Sequence, residues 1–217
     1  MRIGRISAGA LGLYLFTSAA GSAAREPRFE IGAYGGYLIG GTAEGQSSTD
    51  AITASIENAA SYGATLDFAL RPGAFAELSY SRQVTQVDVR TRIGTFDNQA
   101  RYDLTAQYLQ IGGLTEFRIR RAEWFRPTIG GTIGATVFTS DQEGYNYEEW
   151  RPSLLLEGGA KLRFGDHLGV RLRARLLTTL ITSNSALFCG TTHGCSMTVA
   201  GTAVYQGEFG AGAYVTF

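Results

Sequence analysis

Cysteine, histidine and proline are scarce in this chain, with two, two and four copies among 217 residues. So few thiolate and imidazole groups cannot build the ligand arrays of structural zinc sites, and we expect no metal and no cofactor. The 19 basic residues are matched by 19 acidic ones, so the basic surface that nucleic-acid binding requires is missing as well. Aromatic residues make up 12% of the sequence, which argues against an intrinsically disordered chain.

The first 24 residues have the layout of a secretory signal peptide. Arg2 and Arg5 precede an apolar run at 6–16, and a stretch of small residues follows at 17–24. An N-terminal membrane anchor is the alternative, but the run is shorter than the about 18 to 20 apolar residues that span a bilayer. Removal of 1–24 leaves one exported domain, 25–217, with no later stretch of sufficient length and hydropathy for a spanning helix.

Alternation of apolar and polar residues dominates the rest of the chain and predicts β-strands. In 168–176 the even positions are apolar, whereas Arg171, Arg173 and Arg175 share the odd positions. The same pattern predicts eight strands, at 29–38, 62–70, 74–84, 102–117, 124–138, 152–164, 168–180 and 202–217. In the fourth strand, Leu109 breaks the apolar phase of the preceding residues, so we expect a β-bulge there unless the assigned register is wrong.

The predicted connections alternate between short and long. Short turns lie at 71–73, 118–123 and 165–167, and long polar segments lie at 39–61, 85–101, 139–151 and 181–201. Transmembrane barrels have short periplasmic turns and long outer loops, so the asymmetry predicts an all-β fold, an eight-stranded antiparallel up-and-down transmembrane β-barrel. Aromatic residues near both strand ends fit interfacial girdles, with Phe75 and Trp124 at the turn end and Phe138 and Trp150 at the loop end.

The C-terminal segment 208–217 resembles the closing strand of bacterial outer-membrane barrels, which ends in Phe with apolar residues at alternate preceding positions. Segments 108–113 and 127–131, and the cysteine-bearing loop 188–195, are similar to those of small barrels of the OmpA-like and opacity type. This resemblance implies the outer membrane of a Gram-negative-type bacterium as the location. It also implies that the barrel-assembly machinery recognises Phe209, Val215 and Phe217. The other expected partners are outer-membrane lipids, and we expect a monomer.

Eight strands enclose a narrow interior that side chains about fill, which favours a plug over an open pore. Alternation directs five acidic and five basic side chains into this lumen: Glu30, Asp67, Glu77, Glu157, Lys161, Arg163, Arg171, Arg173, Arg175 and Glu208. Unpaired charges would be costly there, so we expect a network of ion pairs. A small passive, porin-like channel that opens by exchanging these pairs remains an alternative.

Cys189 and Cys195 lie in the last long connection of an exported chain, where the periplasm is oxidising, so we expect a disulfide between them. Two free thiols, or a three-donor metal site that includes His193, are the alternatives. His193 and Ser196 with a loop carboxylate are the visible candidates for a lipid-modifying hydrolase. They do not match a deacylase His-x-Ser arrangement, and we expect no enzymatic activity. The expected role is envelope structure or surface interaction through the outer loops.

Overall fold

The computed structural model describes residues 29–46, 51–93, 96–142, 145–180 and 203–217. In these ranges the elements are β1 (Phe29–Ile39), β2 (Thr42–Gln46), β3 (Ala51–Ile56), β4 (Ala59–Arg71), β5 (Ala74–Ile93), β6 (Phe96–Glu116), β7 (Phe125–Gln142), β8 (Tyr145–Phe164), β9 (Leu168–Leu180) and β10 (Ala203–Thr216). No helix that could cross a membrane occurs among these residues. The predicted signal peptide at 1–24, both cysteines, His193 and Ser196 lie outside the described residues.

The antiparallel sheet closes on itself, because β1 pairs with both β4 and β10, and β5 pairs with β6. From Glu30 the register leads through seven strand pairs to Gln206, which lies ten residues (216 − 206) from Thr216, the direct partner of Glu30. A stagger of this kind tilts the strands and is what barrel closure requires. The predicted eight-stranded antiparallel up-and-down barrel is confirmed.

Two of the ten strand segments continue others rather than adding to the barrel wall. β2 extends β1 in the same register, since Leu38 pairs with Ala59 and Thr42 pairs with Ser55. β3 extends β4 along β5 with a shift of one residue. The backbones approach closely at the break between β1 and β2, where a Cβ added to Gly40 would lie 1.7 Å from the Ile56 carbonyl oxygen. Glycine is therefore required at this break.

The long connections predicted at 85–101 and 139–151 are strands for most of their length, which corrects the sequence interpretation. β5 and β6 run for 20 and 21 residues, although a bilayer needs only about 9–11 per strand. The rim of the barrel that these long hairpins form is called the hairpin end, and the opposite rim, with the short turns, is called the turn end. At the hairpin end each strand is hydrogen-bonded to its partner strand, which satisfies its backbone N–H and C=O groups. The sequence pattern did not predict these strand segments because their composition is polar. The connection predicted at 39–61 likewise contains β2 and β3.

The bulge expected in the fourth barrel strand is absent, and that prediction was wrong. β6 keeps one continuous register with β5 and another with β7. Ala106 and Tyr108 are buried inside the barrel, whereas Leu109 and Ile111 are 48% and 60% exposed on its outside. The apolar phases conflict because both faces of this strand are apolar along part of its length.

Large apolar side chains cover the outside of the barrel between the two ends. Exposed aromatic residues mark the turn end at Phe68, Phe117, Trp124, Phe164 and Phe217, and the hairpin end at Tyr37, Tyr62, Trp150 and Tyr205. A continuous apolar surface of this kind is typical of a protein that contacts a membrane. Phe75 and Phe138, which the sequence assigned to the girdles, point inward instead because they share the strand phase of lumen residues.

A charge placed on this band should destabilise the barrel according to its depth. Leu156, 64% exposed, lies on β8 between Trp150 and Phe164, near the middle of the band. Leu156→Arg should cost about 2–4 kcal/mol and the same change at Leu168, beside the turn-end girdle, about 0–1 kcal/mol. Urea unfolding of the folded chain in lipid vesicles measures both values, and equal losses would contradict the membrane-facing assignment.

Candidate functional site in the barrel lumen

Arg171 is the centre of the charged interior. Its Nη2 lies 2.5 Å from Glu77 Oε2 and 2.5 Å from Glu157 Oε1, and its Nη1 lies 3.1 Å from Asp67 Oδ2. These residues come from β4, β5, β8 and β9, so one guanidinium joins four strands. All four side chains are almost fully buried. Arginine suits this position because its planar fork donates several hydrogen bonds and keeps its charge when buried.

Lys161, the one lysine of the chain, lies nearer the turn end. Its Nζ is 2.5 Å from Glu30 Oε2, 3.8 Å from Asp67 Oδ2 and 3.6 Å from Glu116 Oε2. The ammonium also lies 4.2 Å from the centre of the Phe75 ring, a cation–π contact. The inward position of Phe75 is thus explained by a buried cation that its ring face helps to accommodate.

Tyr34 holds the two remaining arginines of β9. The Arg173 guanidinium lies 4.3 Å from the centre of the Tyr34 ring, and Arg175 donates a 2.7 Å hydrogen bond to the Tyr34 hydroxyl. Arg175 also pairs with Glu208, which accepts a 2.5 Å hydrogen bond from Ser61. These contacts place both arginines beside one aromatic ring.

Two cross-strand glycines make room for the Tyr34 ring. Gly63 and Gly212 both pair with Tyr34, and a Cβ on either would lie 2.5 Å from an atom of the tyrosine side chain. A side chain at either position would therefore displace the ring that Arg173 and Arg175 contact.

Nine of the ten lumen residues proposed from the sequence come together in this interior. Arg163 is the exception, because it is half-buried at the turn end and its side chain donates to the Asp166 backbone carbonyl, at 3.5 Å, and to no carboxylate of the described residues. The sequence interpretation missed Glu116 and Arg126, which form an ion pair beside Lys161. The charge network therefore has six carboxylates and five cations: Glu30, Asp67, Glu77, Glu116, Arg126, Glu157, Lys161, Arg171, Arg173, Arg175 and Glu208.

Arg173 is the least bonded cation of the network. Its Nε lies 3.7 Å from Glu157 Oε2, beyond hydrogen-bond distance, and its Nε and Nη1 have no hydrogen-bond partner among the described residues. A cavity of about 10 Å³ lies beside Arg173, Arg171 and Thr65. That volume is at the lower limit for one water molecule, so this level of the lumen is nearly filled by side chains.

The half of the lumen nearer the hairpin end combines an apolar layer with buried polar side chains that are mostly uncharged, which the sequence did not predict. The apolar layer is formed by buried residues: Leu38, Ile56, Val87, Leu104, Ala106, Tyr108, Phe138, Leu155, Leu177 and Val204. Uncharged hydrogen bonds accompany this layer, including Tyr108 to Gln206 at 2.6 Å and Gln110 to Ser153 at 2.6 Å. Above them, Glu149 pairs with Arg151.

The chemistry available in the lumen is that of paired charges. Each carboxylate of the network accepts from or lies near a cation, and no group of three or more metal-ligating side chains was found among the described residues. The arrangement fixes strand positions from inside, because one side chain bonds to partners on several strands. The stabilising contribution depends on complete pairing, since a buried unpaired charge is costly.

Comparison with known proteins supports the fold and gives no closer relationship. No protein family and no curated protein matches the chain. Its structure is similar to that of Neisserial surface protein A, with a TM-score of 0.57 and 12% identity over 88% of this chain and 100% of that one. Pseudomonas aeruginosa OprG matches with a TM-score of 0.58 and 12% identity, over 88% of this chain and 96% of that one.

A third solved structure is the Ail attachment invasion locus protein of Yersinia pestis in complex with the heparin analogue sucrose octasulfate. It matches with a TM-score of 0.50 and 12% identity, over 89% of this chain and all of that one. The chain has the fold of the small bacterial outer-membrane β-barrels. At this level of identity the similarity extends to architecture, and the lumen residues have to be interpreted from their own geometry.

Removing the central cation of this barrel should be far more damaging than removing Arg163. Arg171→Met leaves three buried carboxylates without their shared partner and should cost about 3–5 kcal/mol of stability. Arg163→Met, the matched control, should cost less than about 1 kcal/mol because Arg163 has no ion pair among the described residues. Urea unfolding followed by heat-modifiable gel mobility measures the difference. Similar losses in both variants would show that the network does not stabilise the fold.

Proposed function

We propose that this protein is an integral, multi-pass barrel of the outer membrane of a Gram-negative-type bacterium, with a lumen closed to solutes. Its role is envelope structure, or surface interaction through the outer hairpins. The turn end faces the periplasm in this proposal, as in other barrels with short turns on that side. The barrel-assembly machinery recognises the last strand, where Phe209 and Phe217 are exposed and Val215 is half-buried.

The observation that supports the closed-lumen proposal is that a charge network and an apolar layer lie at different levels of the lumen. The charge network lies in the half nearer the turn end, and the apolar layer lies in the other half together with buried uncharged polar side chains. An ion crossing the lumen would have to displace buried ion pairs at one level and lose its hydration in the apolar layer at another. Rearranging the ion pairs alone would therefore not open a path, which disfavours a porin-like channel.

Surface interaction is the second part of the proposal, and the outer hairpins, which extend the sheet beyond the apolar band, supply the surface for it. Arg101 of β6 bonds to Asp88 at 2.9 Å and to Glu57 at 2.7 Å, which ties the second hairpin to the first. The hydrogen bond to Asp88 raises the pKa of Arg101 above its already high ordinary value, so this contact stays charged at physiological pH. Ail shares the fold and was crystallised with a heparin analogue, which supports a surface role for barrels of this shape.

Single-channel recording tests the closed lumen directly. The refolded chain in a planar bilayer should be silent, and Arg173→Gln alone should be silent too, because the apolar layer remains. Leu155→Ser with Leu177→Ser removes part of that layer and should also be silent on its own. The triple variant, which weakens both barriers, should conduct.

The same recordings can support the channel instead. Steady conductance of the unmodified barrel, with an ion selectivity that Arg171→Glu or Arg173→Glu changes, would overturn the closed-lumen proposal. Heat-modifiable gel mobility must show that each variant is folded before its silence counts.

A further inference from the structure

A cavity of about 370 Å³ opens at the turn end of the barrel, between the β6–β7 turn and the β8–β9 turn. Its lining includes Arg118, Glu123, Trp124, Arg126, Arg163 and Asp166. The volume lies within the roughly 300–1,000 Å³ of small-molecule sites. None of the functions considered above uses this cavity.

Hydrogen bonds hold the walls of the cavity in place. The Arg163 backbone N–H donates to the Trp124 carbonyl at 2.8 Å, and the Phe125 N–H donates to the Ala122 carbonyl at 3.0 Å. Arg126 donates to the Glu123 carbonyl at 3.3 Å, and its guanidinium pairs with Glu116 of the charge network. The cavity is therefore attached to two strand ends and to the lumen network.

Four charged side chains around the cavity, two of each sign, have no ion-pair partner within the described part of the chain. Arg118 and Arg163 are the cations, and Glu123 and Asp166 are the carboxylates. Arg126 is different, because its charge is already matched by Glu116. The charges that line the cavity without an ion pair sum to zero, which is the pattern that a zwitterionic ligand would complete.

The depth of the cavity also limits the ligand. Trp124, 60% exposed, belongs to the turn-end aromatic girdle together with Phe117 and Phe164. Tryptophan side chains prefer the headgroup level of a bilayer. A ligand bound beside Trp124 would therefore be at the depth of a phospholipid headgroup.

We propose that this cavity binds the headgroup of phosphatidylethanolamine in the periplasmic leaflet. Arg118 and Arg163 would contact the phosphate, since guanidinium groups match phosphate oxygens with paired hydrogen bonds. Glu123 and Asp166 would accept hydrogen bonds from the ammonium, which carries three donors. The proposal depends on the outer-membrane location argued above, and it is independent of whether the lumen is closed.

Native mass spectrometry of the folded chain in lipid-free detergent tests this assignment. Phosphatidylethanolamine, phosphatidylcholine and phosphatidylglycerol with identical acyl chains are offered at equal concentration, and the ethanolamine lipid should be retained at least fivefold more. Arg118→Gln with Arg163→Gln should remove that excess. Arg71→Gln, which changes an exposed arginine at the end of β4 outside the cavity, is the matched control and should keep the excess.

Removing the two carboxylates is a second test, in which the lipid preference should move toward the anionic lipid. Glu123→Gln with Asp166→Asn leaves the two arginines alone and should shift retention from the ethanolamine lipid to the anionic glycerol lipid. Equal retention of all three lipids, or the same loss in Arg71→Gln as in the arginine pair, would overturn the site. If soluble phosphoethanolamine were retained to the same extent as the lipid, the assignment of the cavity to a membrane lipid would be overturned. If the folded barrel showed no lipid preference and conducted no ions, the closed-lumen proposal would still stand.

Discussion

Closure of the backbone hydrogen-bond ladder between β1 and β10 is the constraint on which the other features depend. Phe29 and Phe217 exchange backbone hydrogen bonds at 3.3 and 2.8 Å where this seam ends. A lipid environment offers no hydrogen bonds to an exposed strand edge, so only a closed sheet satisfies every strand. Closure also divides the side chains of each strand between lipid and lumen, which gives an apolar exterior and forces charged residues into a narrow interior.

The interior accommodates that charge through shared partners rather than isolated pairs. Arg171 contacts three carboxylates, Lys161 lies near three, and Tyr34 contacts two arginines. Such a network depends on side chains from strands that are distant in sequence, so it stabilises the closed barrel and no shorter part of it. The apolar layer nearer the hairpin end needs no such pairing, because its side chains are stabilised by removal from water.

The two ends of the barrel differ as strongly as its two faces. The hairpin end extends the sheet well beyond the apolar band, and Arg101 links two of its hairpins. The turn end is short, and its tight connections bring Arg118 and Arg163 to one cavity at the level of the aromatic girdle. The two proposals, surface interaction and headgroup binding, therefore concern opposite ends of the barrel.

The sequence by itself determined the barrel, because the period-two alternation of the strands and the unequal lengths of their connections can both be seen in local stretches of the sequence. It also identified nine of the lumen charges, since strand phase decides which face a residue takes. Tertiary structure alone decided which charges meet: Arg126 replaces Arg163 in the network because strand tilt and register set the height of each side chain. The sequence did not reveal the apolar layer or the strands within the expected loops for a related reason. Whether a polar or apolar residue belongs to a strand, and what it packs against, depends on its neighbours across the sheet.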